Sequence, residues 1–203
     1  MQVGTLRALV KSTLWNLMKA LLLFASAFIA PIFLTQAQAQ SALDDHQIAA
    51  IITAAHTLDI ESGKLAQFKS SSPEVQFFAQ RMVADHTAAL ESLTELITRL
   101  GITPRENAIS QGLKSSAEKN LARLRPLRGD AFDKEYIDYE IPFHEHMLEM
   151  IDNELIHHVK NKQLKGALIK TRPLFFHTYE QAIRVESLLK KQPPRQKHQC
   201  CAH

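Results

Sequence analysis

Cysteine is nearly absent from the 203-residue chain: it has two, Cys200 and Cys201, side by side in a polar C-terminal stretch. Adjacent residues there cannot staple a core, so whatever folds upstream is held by packing alone. Acid is missing from the first 39 residues. Period-two alternation of apolar and polar residues is missing throughout, which excludes a half-buried sheet. Net charge is missing as well once the N-terminal segment is set aside. Arg7, Lys11 and Lys19 account for three of the 24 Lys and Arg, which leaves 21 against 21 Asp and Glu. The basic balance of the whole chain therefore belongs to its first segment, and nucleic-acid binding is not expected.

What the first segment does contain is a charged start, an apolar run from Ala20 to Leu34, and the exit Gln36-Ala37-Gln38-Ala39. That order describes a secretory signal peptide over 1–39, cleaved after Ala39. An uncleaved membrane anchor is the competing reading, because about 18 apolar residues could span a bilayer; Pro31 and the glutamine-rich exit favour cleavage. No cysteine follows the apolar run, which closes the lipoprotein route. The expected location is the periplasm or cell envelope, with envelope association as the partner class. Residues 40–192 then form one domain, long enough at roughly 150 residues for a single hydrophobic core. Residues 193–203 are expected to be a disordered basic tail whose cysteines and histidines could bind a soft metal.

Within the domain the apolar spacing is helical. Asp44 or Asp45 caps a first helix to about Lys69, with Ile48, Ile51, Ala55, Leu58, Ser62 and Leu65 on its stripe. Ser71-Ser72-Pro73-Glu74 restarts the chain, and a second helix runs to Leu100 and stops at Gly101. Its seam is Val75, Ala79, Met82, His86, Ala89, Leu93, Leu96 and Leu100. A connection over 101–110 leads to a short helix from Gln111 to about Leu127. A third long helix follows from Ala131 to about Lys160, and a fourth from Lys162 to Lys191. Pro142 and Pro173 predict kinks in these two. The fold class is all-α: a four-helix bundle with an extra short crossover helix.

His86 sits mid-stripe, where an imidazole needs a partner for each ring nitrogen. In an antiparallel hairpin turning at Ser71-Ser72, His86 is level with about Thr57, within a turn of Asp59 and Glu61. In a hairpin turning at Asn161, His144 is level with about Tyr179, within a turn of His177. Glu140 and His144, at i and i+4, share a face. Inward carboxylates and imidazoles are how four-helix bundles build metal sites. The candidate ligands are therefore His86, His144, His177, Asp59, Glu61 and Glu140, for a transition-metal ion such as zinc, copper, nickel or iron. The alternative is that the histidines are buried hydrogen-bonders paired with Asp85, Glu140, Tyr136 or carbonyls freed by the prolines. The histidines at 46, 56, 146, 157 and 158 read as surface. A di-iron centre wants Glu-x-x-His on two helices, and the chain has one, Glu154 to His157.

The run Glu61-Ser62-Gly63-Lys64-Leu65-Ala66, then Pro73-Glu74-Val75, then Ala79 with Arg81-Met82-Val83-Ala84-Asp85-His86 resembles the bacterial family called domain of unknown function 4142. Phe132-Asp133 with Tyr136, then His144, and Pro173-Leu174 before His177 are similar to its later motifs. The resemblance covers about 45–190. It implies a ferritin-like bundle and export, its members being often labelled predicted outer-membrane proteins, and it lends no settled activity. Phe143 stands where the family pattern has an acid, Pro142 is atypical, and Asp59 stands where Glu is commoner. A metal-dependent oxidase is a third reading, weakened because no nucleophile–base pair and no complete di-iron pattern is visible, so an enzyme is not the expectation. A metal-binding or stress-protective role is, with a purely structural or interaction module of the envelope as its rival.

Overall fold

A computed structural model describes residues 42–192; the expected signal segment and C-terminal tail lie outside them. Six helices follow in order: α1 (Asp45–Lys69), α2 (Pro73–Arg99), α3 (Ala108–Leu124), α4 (Gly129–Met150), α5 (Ile156–His158) and α6 (Lys162–Lys191). A π-helical turn, Ile151–Leu155, joins α4 to α5. No strand occurs among the described residues. The fold is an all-α four-helix bundle of α1, α2, α4 and α6, with α3 as the crossover.

The ends are set by local chemistry. Asp44 and Gln47 form a reciprocal capping box at the start of α1, satisfying amides that have no partner in the first turn. α2 starts on Pro73, and at its end Gly101 takes φ 67°. There Gly101 N–H donates to Thr98 O and Ile102 N–H to Ile97 O, a Schellman closure that needs a left-handed residue at Gly101. α3 starts three residues earlier than the spacing predicts, because Asn107 caps Ile109 and Ser110 while the Ser110 hydroxyl answers the Asn107 amide. Asn161 caps α6 through Gln163 and Leu164. Pro142 and Pro173 lie inside α4 and α6, both on exposed faces.

α1 packs against α2, α4 against α6, and α2 against α6, while α3 covers another side of α1. α1 therefore has neighbours nearly all round, and Ala49, Ala50, Ile51, Ile52, Ala54 and Ala55 are all buried. A helix apolar on every side is one that is enclosed. At Gly63 the α1–α2 contact leaves no room for a side chain: an added Cβ would lie 2.7 Å from Val83 Cγ2. Asp45 closes the far end of the bundle by accepting from the amides of Lys160 (2.8 Å) and Asn161 (3.0 Å).

Two apolar layers fill the interior. One gathers Ile48, Ile52, Leu93, Met147, Ile151, Leu164 and Phe175; the other gathers Phe78, Met82, Leu124, Phe132, Tyr136 and Val185. Each large side chain so buried contributes roughly 1.5–3 kcal/mol. Between the layers lies a band of buried polar residues: His56, Asp59, Ser62, His86, Glu140, His144 and Thr178. Such groups are costly in an apolar interior unless each is paired, so this band is where a functional explanation is needed.

A candidate metal centre in the bundle core

α1 supplies His56 and Asp59, one turn apart on one face; α2 supplies His86; α4 supplies Glu140 and His144. None is more than 1 % exposed. His86 Nδ1 lies 2.8 Å from Asp59 Oδ2 and 3.1 Å from His56 Nδ1. The second Asp59 oxygen faces His144 Nε2 at 3.8 Å. His144 Nδ1 is 3.6 Å from Glu140 Oε2. The donors thus form two groups, His56–Asp59–His86 and Asp59–Glu140–His144, and the Asp59 carboxylate belongs to both.

The other ring nitrogens are anchored outward. His144 Nδ1 meets the Glu140 carbonyl at 2.8 Å; a carbonyl only accepts, so Nδ1 carries the proton and Nε2 presents a lone pair to the cluster. The Thr178 hydroxyl donates to Leu174 O and so accepts from His86 Nε2 at 3.4 Å, which turns the Nδ1 lone pair of His86 inward as well. His56 Nε2 is held by the Thr171 hydroxyl at 3.2 Å. Orientation of a ring by its far nitrogen is the usual second layer of an imidazole metal site. Phe175 walls the site, its ring centroid 5.2 Å from His56 and His86 and 5.8 Å from His144.

Three inner atoms, Asp59 Oδ2, Glu140 Oε2 and His144 Nε2, have no hydrogen-bond partner among the described residues despite full burial. Asp59 Oδ2 is close to His86 Nδ1 but outside hydrogen-bonding geometry. Ligands held at about 2.0–2.2 Å around one ion lie roughly 3 Å from each other, which matches the 2.8 and 3.1 Å that separate His86 Nδ1 from Asp59 and His56.

Burial sets the protonation of the cluster. It pushes Asp59 up to about 7, with His144 opposing. It raises Glu140 well above the ordinary range, aided by the Asp59 charge. It lowers His56 and His86 to about 3, the neighbouring imidazoles adding to the effect at His56 and Asp85 opposing it at His86. His144 is lowered for the same reason. The imidazoles are thus neutral near pH 7, the form that binds metal.

Of the six residues singled out in the sequence, the structure brings His86, His144, Asp59 and Glu140 together. It leaves His177 and Glu61 exposed. The inward series on α6 is Leu164, Leu168, Phe175, Thr178, Ala182 and Val185, so His177 falls one residue off the seam and its ring meets Gln181 at the surface. Glu61 points away from α2 while Asp59 and Ser62 point in. Asp85 pairs with Arg81 at the surface rather than with His86. His56, expected at the surface, is buried. The clue to it was the run Ile48 to Ala55, apolar but for Thr53, which marks an enclosed helix rather than a one-sided one. Thr171, Thr178 and Phe175 carried no sequence signal beyond helical spacing.

None of the curated proteins and none of the solved structures matches the chain. Comparison with protein families matches residues 33–185 to the family described as domain of unknown function (DUF4142). That span takes in more than half of the chain and all five buried cluster residues, and the protein belongs to the DUF4142 family.

Proposed function

We propose that the protein is an exported, ferritin-like bundle that binds a transition-metal ion in its core, in a metal-binding or stress-protective role in the periplasm or cell envelope. His56, His86 and Asp59 hold the ion, and Asp59 extends the site toward Glu140 and His144. The observation that carries this reading is the common orientation of the three imidazoles: each is fixed by an outer partner at one nitrogen while the other faces Asp59. Mixed imidazole and carboxylate donors suit zinc, iron, copper or nickel.

A structural reading remains as the rival, because a small turn of a protonated Asp59, 2.8 Å from His86 Nδ1, would let it donate there, and the Thr171 hydroxyl could donate to His56. The two readings separate in metal analysis and thermal melting of the purified protein, with Cys200, Cys201, His198 and His203 replaced to silence the tail. Metal should raise the wild-type melting temperature by mass action. That increment should shrink in His56→Gln, His86→Gln, His144→Gln and Asp59→Asn, and persist in His177→Gln, Glu61→Gln and His157→Gln. Equal increments in all seven variants would leave the structural reading. The compartment is tested separately: the exported form should begin near Gln40, and recovery of Met1 in a membrane fraction would favour an anchor.

A further inference from the structure

A cavity of about 610 Å³ opens between α2 and α6 and reaches inward to His56 and Thr171. Leu93, Leu96, Leu168 and Leu174 give it an apolar wall. Its two charged lining residues, Arg99 and Lys170, are both cationic and exposed, and no acid lines it. Neither forms an ion pair among the described residues.

Gly166, also in the wall, sits inside α6, where glycine is destabilising relative to alanine. Close packing does not require it: unlike at Gly63, a Cβ added at Gly166 meets no atom within 4 Å. Its effect is to leave space. Ala167 on α6 and Ala89 on α2 line the same opening.

We propose that this cavity binds an anionic amphiphile of the fatty-carboxylate class. The carboxylate sits at Arg99 and Lys170, where a guanidinium offers paired donors to its two oxygens. The hydrocarbon chain lies along the leucine wall toward His56. The volume falls in the range of small-molecule sites, which are mainly apolar with a few placed polar groups. The site shares His56 and its hydroxyl partner Thr171 with the metal cluster, and its binding does not depend on a metal.

Isothermal titration calorimetry of decanoate into the purified protein, with EDTA present throughout, tests this. Decyltrimethylammonium and decanol serve as cationic and uncharged counterparts. Decanoate should bind saturably at one site, at least tenfold more tightly than either counterpart. Affinity should fall at least tenfold in the Arg99→Gln/Lys170→Gln double variant, whose changes are at the surface. It should be lost in Gly166→Leu, which fills the cavity while its circular dichroism stays that of wild type. Absence of saturable decanoate binding, equal affinity for the cationic amphiphile, or unchanged affinity in the double variant would overturn the proposal. The chelator keeps the outcome separate from that of the metal experiment, since either can fail alone.

Discussion

Asp59→Asn should make the metal-free protein progressively more stable than wild type as pH rises. In the folded state burial holds the Asp59 carboxyl at about 7, against 3.8 in ordinary surroundings. The unfolded chain therefore releases this proton at lower pH than the native one. Stability tied to it is fully present below about pH 4 and is lost as pH rises through 7. At about 1.4 kcal/mol per unit, the whole shift corresponds to roughly 4 kcal/mol. As pH falls through 6.5 the three neutral imidazoles impose their own cost, since the unfolded chain binds protons that the native cluster refuses. Wild type and variant share that cost, so it cancels in their difference but lowers both stabilities steeply by about pH 5.5. The useful window is thus about pH 5.5 to 8, where the Asp59 contribution changes by roughly 2 kcal/mol. Asparagine keeps the shape without titrating, and its loss relieves Glu140 of a repelling charge. Any cost of the amide in the cluster is independent of pH. Urea unfolding followed by far-ultraviolet circular dichroism, with chelator, should show the stability difference moving toward the variant across that window. With metal at about pH 8 the order should reverse, because only wild type keeps the full ligand set. A difference that stays constant with pH would refute the reasoning.

Metal affinity should fall as pH drops below about 7, where binding has to displace the Asp59 proton; competition titrations at two pH values give the slope, and a flat profile counts against Asp59 as ligand. Gly63→Ala should cost about 1–3 kcal/mol, since its Cβ overlaps Val83 and Ala79 O cannot retreat; an unchanged urea midpoint would contradict the close α1–α2 contact. Phe175→Ala should cost about 3–5 kcal/mol and lower the melting temperature of the metal-free protein. Asp45→Ala should speed hydrogen exchange at the amides of Lys160 and Asn161, which lose their acceptor, while leaving the central cluster protected.

The helices were legible because their signals are local. Asp44, Pro73, Gly101 and Asn161 announce ends through their own backbone chemistry, and the structure places the long helix bounds within a residue or two of them. The π turn at Ile151–Leu155 was not, because nothing in Ile-Asp-Asn-Glu-Leu departs from α-helical spacing; the extra residue answers to what α4 packs against. The same division holds at the cluster. His86, His144 and Glu140 lie on stripes that spacing alone reveals. His56 and His177 exchanged roles because the largely apolar start of α1, broken by Thr53, hides which of its faces meets α2, and because on α6 a one-residue offset moves a side chain by roughly 100°. Thr178 then occupies the inward place, a residue that composition never marks as a partner for imidazole.

The cluster is divided between two hairpins: His56, Asp59 and His86 come from α1–α2, while Glu140, His144, Phe175, Thr171 and Thr178 come from α4 and α6. The α1–α2 half carries the three donors proposed to hold the ion, but the threonines that orient His56 and His86, the Phe175 wall and the Glu140–His144 extension come from the other half. An ion seated there would therefore gauge how the two halves are docked. The coupling runs both ways. A partner or a surface that pried the hairpins apart would lower metal affinity by the same factor by which metal would lower affinity for that partner. Ion release would then report mechanical opening of the bundle, even when the event that opens it occurs at a distant face.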